Sequence, residues 1–180
     1  MKVRDFNRYM HFPLEEWAAN ILDMNHHTAT GPDLYFDQDG EKCCIETKWS
    51  LVPTVKVESN YPECWTVDED QLAYPKTWGK GYWGFGVYSL DRAVEDIDFE
   101  DKDSLDDFVT HRELWLVRWN WINMYPPSIT ASGPTYRYPK LKDIPNTQHT
   151  HESTNGKIHV TSYVPDKYFF PSQDVDCVPF

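Results

Sequence analysis

Apolar residues recur at helical spacing early in the chain, at Leu14, Trp17, Ala18, Ile21 and Leu22, and predict an amphipathic helix over about 13 to 26. Pro13 suits its first turn, where a missing N–H costs nothing. At roughly 100° per residue the apolar arc centres near Leu14, with Glu15 on its border and Glu16 far round on the solvent side. Only Glu15 can look inward. The period then changes to two: short runs at about 33 to 38 and 41 to 48 flank Asp39-Gly40. That dipeptide suits a two-residue hairpin turn, because both central positions require positive φ. Thr66-Val67-Asp68-Glu69 has the form of a capping box and opens a brief helix that Pro75 ends. Two runs rich in aromatic and β-branched residues, WGFGVYSL at 83 to 90 and ELWLVRWNWI at 113 to 122, read as strands. Trp115, Trp119 and Trp121 nearly alternate along the second. Beyond Pro126-Pro127 turn-forming residues dominate, with one strand near Lys157 to Thr161. This order predicts an α/β fold, a sheet flanked by helices. The expected core spans about 13 to 122, followed by an irregular region, 123 to 180.

The hairpin sorts its side chains. With a two-residue turn, opposed residues sum to 79, so Asp33 pairs with Glu46 and the two project from one face. One face then carries Leu34, Phe36, Cys43 and Ile45; the other carries Asp33, Tyr35, Asp37, Lys42, Cys44, Glu46 and Lys48. A three-residue loop would set Asp33 beside Ile45 and mix charge with core, which the register argument disfavours. Two close carboxylates repel unless a cation lies between them, and hard oxygen ligands suit magnesium, with manganese as a substitute. A lysine at the edge of such a site can orient the attacking water and balance developing charge. The chemistry implied is metal-assisted hydrolysis of a phosphodiester. The alternative is a charged solvent face on which Lys48 pairs with Glu46 or Asp33.

Composition narrows the class. A chain of 180 residues, 40% apolar and 16% aromatic, can bury one core, and its 26% charged residues leave no uncharged run long enough for a membrane span. One soluble domain is expected. Lys2, Arg4, Asp5 and Arg8 near the start argue against a secretory signal and for the cytoplasm. Cysteines at 43, 44, 64 and 177 form no CxxC pair, which favours free thiols over zinc. The net charge of −12 is uneven: residues 91 to 107 hold nine acids against Arg92 and Lys102, whereas 111 to 167 hold seven Lys or Arg against four acids. The acidic stretch reads as a solvated insertion, with a short helix capped at Ser104. In the basic half, TYRYPKLK interleaves aromatic and basic residues in a loop. Tyr136, Arg137, Tyr138, Lys140 and Lys142 there are candidates for nucleic-acid contact.

Gly31-Pro32-Asp33 followed by Ile45-Glu46-Thr47-Lys48 resembles the PD-(D/E)XK nuclease superfamily, which has the restriction-endonuclease-like fold, a mixed β-sheet flanked by helices. The resemblance covers about residues 13 to 90. It implies that Asp33 and Glu46 bind metal with the carbonyl of Thr47, that Lys48 positions the water, and that Glu15, by its place on the first helix, completes the site. Some members carry a Gln on the next helix, a place that Gln71 can fill, although Tyr74 three residues on departs from the usual Gln-to-Tyr interval. DNA is the substrate the resemblance implies, and a homodimer that cuts two strands is in keeping with it. A ribonuclease, and a module of the same fold that binds nucleic acid or protein without turnover, remain as alternatives.

Overall fold

The computed structural model describes residues 3–53, 61–97 and 102–161. Helix α1 spans Val3–Leu22 and begins ten residues before the expected start. The apolar row continues backwards as Phe6, Met10, Leu14, Ala18 and Leu22, at four-residue spacing and all wholly buried. Burying Phe6 and Met10 stabilises the helix by about 1.5–3 kcal/mol each, enough to offset the roughly 3 kcal/mol that Pro13 costs inside it. The helix stops at Asp23, whose φ of 52° reverses the chain, and the Met24 N–H donates to the Ala19 carbonyl. His26 and His27 therefore follow the helix instead of ending it.

Strands β1 (Asn25–His26), β2 (Leu34–Gln38) and β3 (Glu41–Leu51) come next. Asp39 and Gly40 both have positive φ, 52° and 81°, and the ladder runs from Gln38↔Glu41 to Leu34↔Ile45. The two-residue turn and its register are as expected. After β4 (Val67–Asp68), a 3₁₀ turn over Glu69–Ala73 leads into helix α2, Tyr74–Trp78. The cap falls two residues later than expected: Gln71 Oε1 accepts from the Asp68 N–H. Pro75 sits in the first turn of α2, where it starts that helix and does not end the one before.

Strands β5 (Lys80–Leu90) and β6 (Val109–Arg118) are both real, but β6 ends before Trp119, and Trp119–Met124 forms a 3₁₀ turn. Trp119 folds back to stack on Trp83, with ring centroids 4.1 Å apart, and the Trp83 indole N–H donates to the Trp119 carbonyl. Among the described residues, 124 to 161 are more regular than their composition suggests. They supply β7 (Ser128–Ile129), β8 (Thr135–Arg137), β9 (Thr147–Ser153) and β10 (Gly156–Thr161).

Among the described residues, seven strands form a mixed sheet in the order β1-β2-β3-β5-β6-β10-β9, and β4-β8-β7 form a second, small one. β3 and β5 pair in parallel, so the chain between them crosses over one face. The architecture is mixed α/β. On one face α1 packs over Leu34, Cys43, Ile45, Leu114, Leu116 and Ile158. On the other, Trp83, Phe85, Val87 and Val117 are covered by Trp65, Val67, Leu72 and Ile122. The acidic stretch contributes to the core as well, because Val94, Ile97 and Leu105 are buried. The expected cap near Ser104 corresponds to a 3₁₀ turn over Lys102–Phe108, while 98–101 lie outside the described residues. No helix among the described residues is long and apolar enough to cross a membrane.

Candidate active site

The hairpin, α1 and the crossover meet at one edge of the large sheet. Asp33 stands one residue beyond the last pair of the β2–β3 ladder, and its Oδ2 accepts from both the Thr47 N–H at 2.6 Å and the Thr47 hydroxyl at 2.8 Å. The preceding loop is held from two sides. The His27 N–H donates to the Asp33 carbonyl at 2.8 Å, and Gly31, at φ 154°, packs so closely that a Cβ there would lie 2.9 Å from the His27 ring and 3.2 Å from Trp78. Glycine at 31 lets Pro32 and Asp33 close on β3.

Glu46 projects from the opposite face of β3 to Ile45 and Thr47. Its Oε1 accepts from Lys48 Nζ at 2.7 Å and from Gln71 Nε2. Gln71, a residue that the family resemblance suggested, thus joins the site through the 3₁₀ turn, its own side-chain carbonyl tied to the Asp68 N–H. Glu46 Oε2 is buried and has no hydrogen-bond partner among the described residues. With Glu46 only 4% exposed and Thr47 1%, this strand is not a charged solvent face.

Glu15 enters from α1, 7% exposed, and is shared by partners that the sequence reading did not find. His26 Nε2 lies 3.0 Å from one carboxylate oxygen and His11 Nδ1 lies 3.8 Å from the other. His11 is four residues before Glu15 on the same helix, a spacing that marks neighbours. His26 arrives through the reversal at Asp23, which sequence spacing does not reveal.

The electrostatics follow from this crowding. Burial, then repulsion from Asp33 and Glu46, raises the Glu15 carboxyl well above its ordinary range. Burial raises Glu46 to about 7, against a lowering pull from Lys48 and with a further push from Asp33. Tyr74 is raised by burial and then by the charges of Glu46 and Asp33. Three acids therefore share one poorly solvated site with a single ammonium, an arrangement a divalent cation would neutralise. Among the described residues no three His, Cys, Asp or Glu side chains lie close enough to hold an ion by themselves. A magnesium site needs no such triad, because it keeps several waters and takes only one or two carboxylates.

The proposed nucleic-acid contacts fare differently. Arg137 lies in β8, not in a loop, and is committed to Glu69 at 2.8 Å and to the Tyr125 carbonyl at 2.7 Å. Tyr136 and Tyr138 are half-buried, their rings 6.3 Å apart. Lys140 and Lys142 are exposed and line a groove with Tyr61 and Glu63, none of which is among the residues gathered at Glu46. No model of a known protein family matches the chain, and a search of curated proteins likewise finds no match.

Proposed function

We propose that this chain is a divalent-metal-dependent endonuclease that hydrolyses DNA phosphodiester bonds, with the restriction-endonuclease-like, PD-(D/E)XK arrangement that its residues resemble. The observation that carries the reading is the Glu46 carboxylate. It is buried beside two other acids, held through one oxygen by Lys48 and Gln71, and left with the other oxygen unpartnered. A buried acceptor with no donor costs roughly 1–3 kcal/mol or more, and an ion between Glu46 and Asp33 removes that cost. The donor set is hard oxygen, which fits magnesium or manganese. Asp33, Glu46 and the main-chain carbonyl of Thr47 would hold the ion. When bound, it supplies Lewis-acid polarisation of a phosphoryl oxygen and a lowered pKa for water.

The chain's own groups supply the rest. Thr47 fixes the Asp33 carboxylate through two hydrogen bonds to one oxygen, so the other oxygen keeps a set direction. Gln71 and Lys48 together fix Glu46 through one oxygen, which holds Lys48 Nζ beside that carboxylate. There Lys48 orients the attacking water and offsets charge that develops on the phosphate. Glu15, held by His26, retains its proton in the absence of a cation and gives it up when positive charge arrives. The test incubates plasmid and single-stranded circular DNA with the protein and magnesium or manganese, alongside Asp33→Ala and Lys48→Ala. Cleavage by the parent that both variants lose is expected. An intact parent that cuts no DNA form and binds no metal overturns the proposal.

A further inference from the structure

Aromatic rings pack against the residues that brace the acidic site. His26 and His27 are consecutive but turn to opposite sides of the sheet edge. The His26 ring meets Phe12 of α1, with centroids 4.7 Å apart, while it contacts Glu15. The His27 ring meets Trp78 at 5.0 Å and Tyr35 at 5.7 Å, and Tyr35 and Trp78 are 5.4 Å apart. Tyr35 pairs with Cys44 on the strand face that also carries Glu46, whereas α1 covers the opposite face. One aromatic group therefore stands on each side of the carboxylates. Phe12 is 51% exposed, among the few large apolar side chains left in solvent.

The two cations of the hairpin are already engaged. Lys48 binds Glu46 and Lys42 binds Asp37, in a chain whose net charge is −12. Duplex DNA is held mainly through its phosphates by Lys and Arg. A single strand can be held by stacking its bases on aromatic faces, at about 1–3 kcal/mol per base. Moreover, two stacking surfaces on opposite faces of a sheet would splay the bases on either side of one phosphate, which a duplex permits only after unpairing, at a cost of a few kcal/mol.

We propose that the Asp33–Glu46 pocket takes a nucleic-acid strand that is unpaired at the scissile phosphate, one base stacking on Trp78 and Tyr35 and its neighbour on Phe12. This substrate class rests on the nuclease reading above, and its test is independent of turnover. Binding is measured in a chelator, with labelled oligothymidylate, oligouridylate, a duplex of equal length, and an abasic oligomer that keeps the phosphates without bases. Oligothymidylate or oligouridylate is expected to bind about tenfold tighter than the duplex or the abasic oligomer, and the ratio between the two assigns the sugar. Trp78→Ala and Phe12→Ala are each expected to weaken strand binding about tenfold and to leave the abasic oligomer unaffected. Phe12 is half in solvent, so Phe12→Ala keeps the test valid should Trp78→Ala fail to fold. Equal affinity for duplex and single strand, or Phe12→Ala binding as the parent does, overturns the proposal. Strand binding that persists without any metal-dependent cleavage supports this proposal and counts against the nuclease reading alone.

Discussion

Replacing Glu46 with glutamine is expected to stabilise the metal-free protein above neutral pH. Burial raises the Glu46 carboxyl from 4.5 to about 7. As pH rises from 4.5 through 7, the unfolded chain releases this proton while the folded chain retains it. Folding stability therefore falls across that window, and the full loss is present above it. At 1.36 kcal/mol per pKa unit the loss approaches about 3 kcal/mol. Glutamine has no charge to desolvate and keeps an oxygen for Lys48 and Gln71, although Lys48 loses its ionic partner. A net gain of roughly 1–2 kcal/mol remains, equivalent to a Tm higher by about 3–6 °C for a chain of this size. Thermal unfolding of parent and Glu46→Gln, in chelator and in buffers spanning the window, measures it. The two are expected to converge at the acid end and diverge above neutrality. Manganese is expected to reverse the order, since it stabilises whichever form binds it. A Glu46→Gln protein no more stable than the parent above neutrality in chelator would refute the claim that burial of this carboxylate outweighs its pairing with Lys48.

Two further outcomes test the scaffold around the pocket. Gly31→Ala forces a Cβ against His27 and Trp78 at a positive φ, so a loss of about 1–3 kcal/mol in urea unfolding is expected, with Mn2+ affinity falling more than in a destabilised variant remote from the site. Asp106→Ala strips the partner from Arg112, which is 1% exposed, bound by both its terminal nitrogens to Asp106, and stacked 4.9 Å from the Trp17 ring. Leaving that guanidinium buried and uncompensated is expected to cost up to about 3–5 kcal/mol, less to the extent that Asp106, with its side chain 46% exposed, lets water reach the site.

The hairpin was legible in the sequence because its determinants are local. Asp39-Gly40 dictates the turn, and alternation over a few residues on each side dictates which face is buried. The same locality misled at Pro13, read as a helix start because the balancing burial of Phe6 and Met10 depends on strands far along the chain. Trp119 and Trp121 continued a strand-like alternation, yet stacking of Trp119 on Trp83 draws them into a turn. β10 was legible as the strand near Lys157 to Thr161, whereas β9, TQHTHES, is rich in Thr, His and Gln, so its strand character comes from pairing with β10, not from hydrophobic patterning. At the site, Glu46 and Lys48 were legible as one face of β3, but the expected pairing of Asp33 opposite Glu46 is not in the ladder, and the Asp33 carboxylate instead binds Thr47, whose side chain projects from the other face. Of the residues that brace them, Gln71 had only a loose positional cue, and His26 depended on a chain reversal at a single residue with positive φ.

The parallel pairing of β3 with β5 has a kinetic consequence. The β2–β3 hairpin closes over a two-residue loop and belongs to a class that forms in about 1–10 μs. Gln71 reaches Glu46 only once the crossover is laid down and β5 has docked, a contact across 25 residues, and such non-local closures are slow. A folding chain therefore brings Asp33 and Glu46 near one another before Gln71 arrives to restrain them. Acquisition of metal-binding competence would then serve as a clock for completion of the central sheet, separable in stopped-flow experiments from the earlier burial of tryptophan.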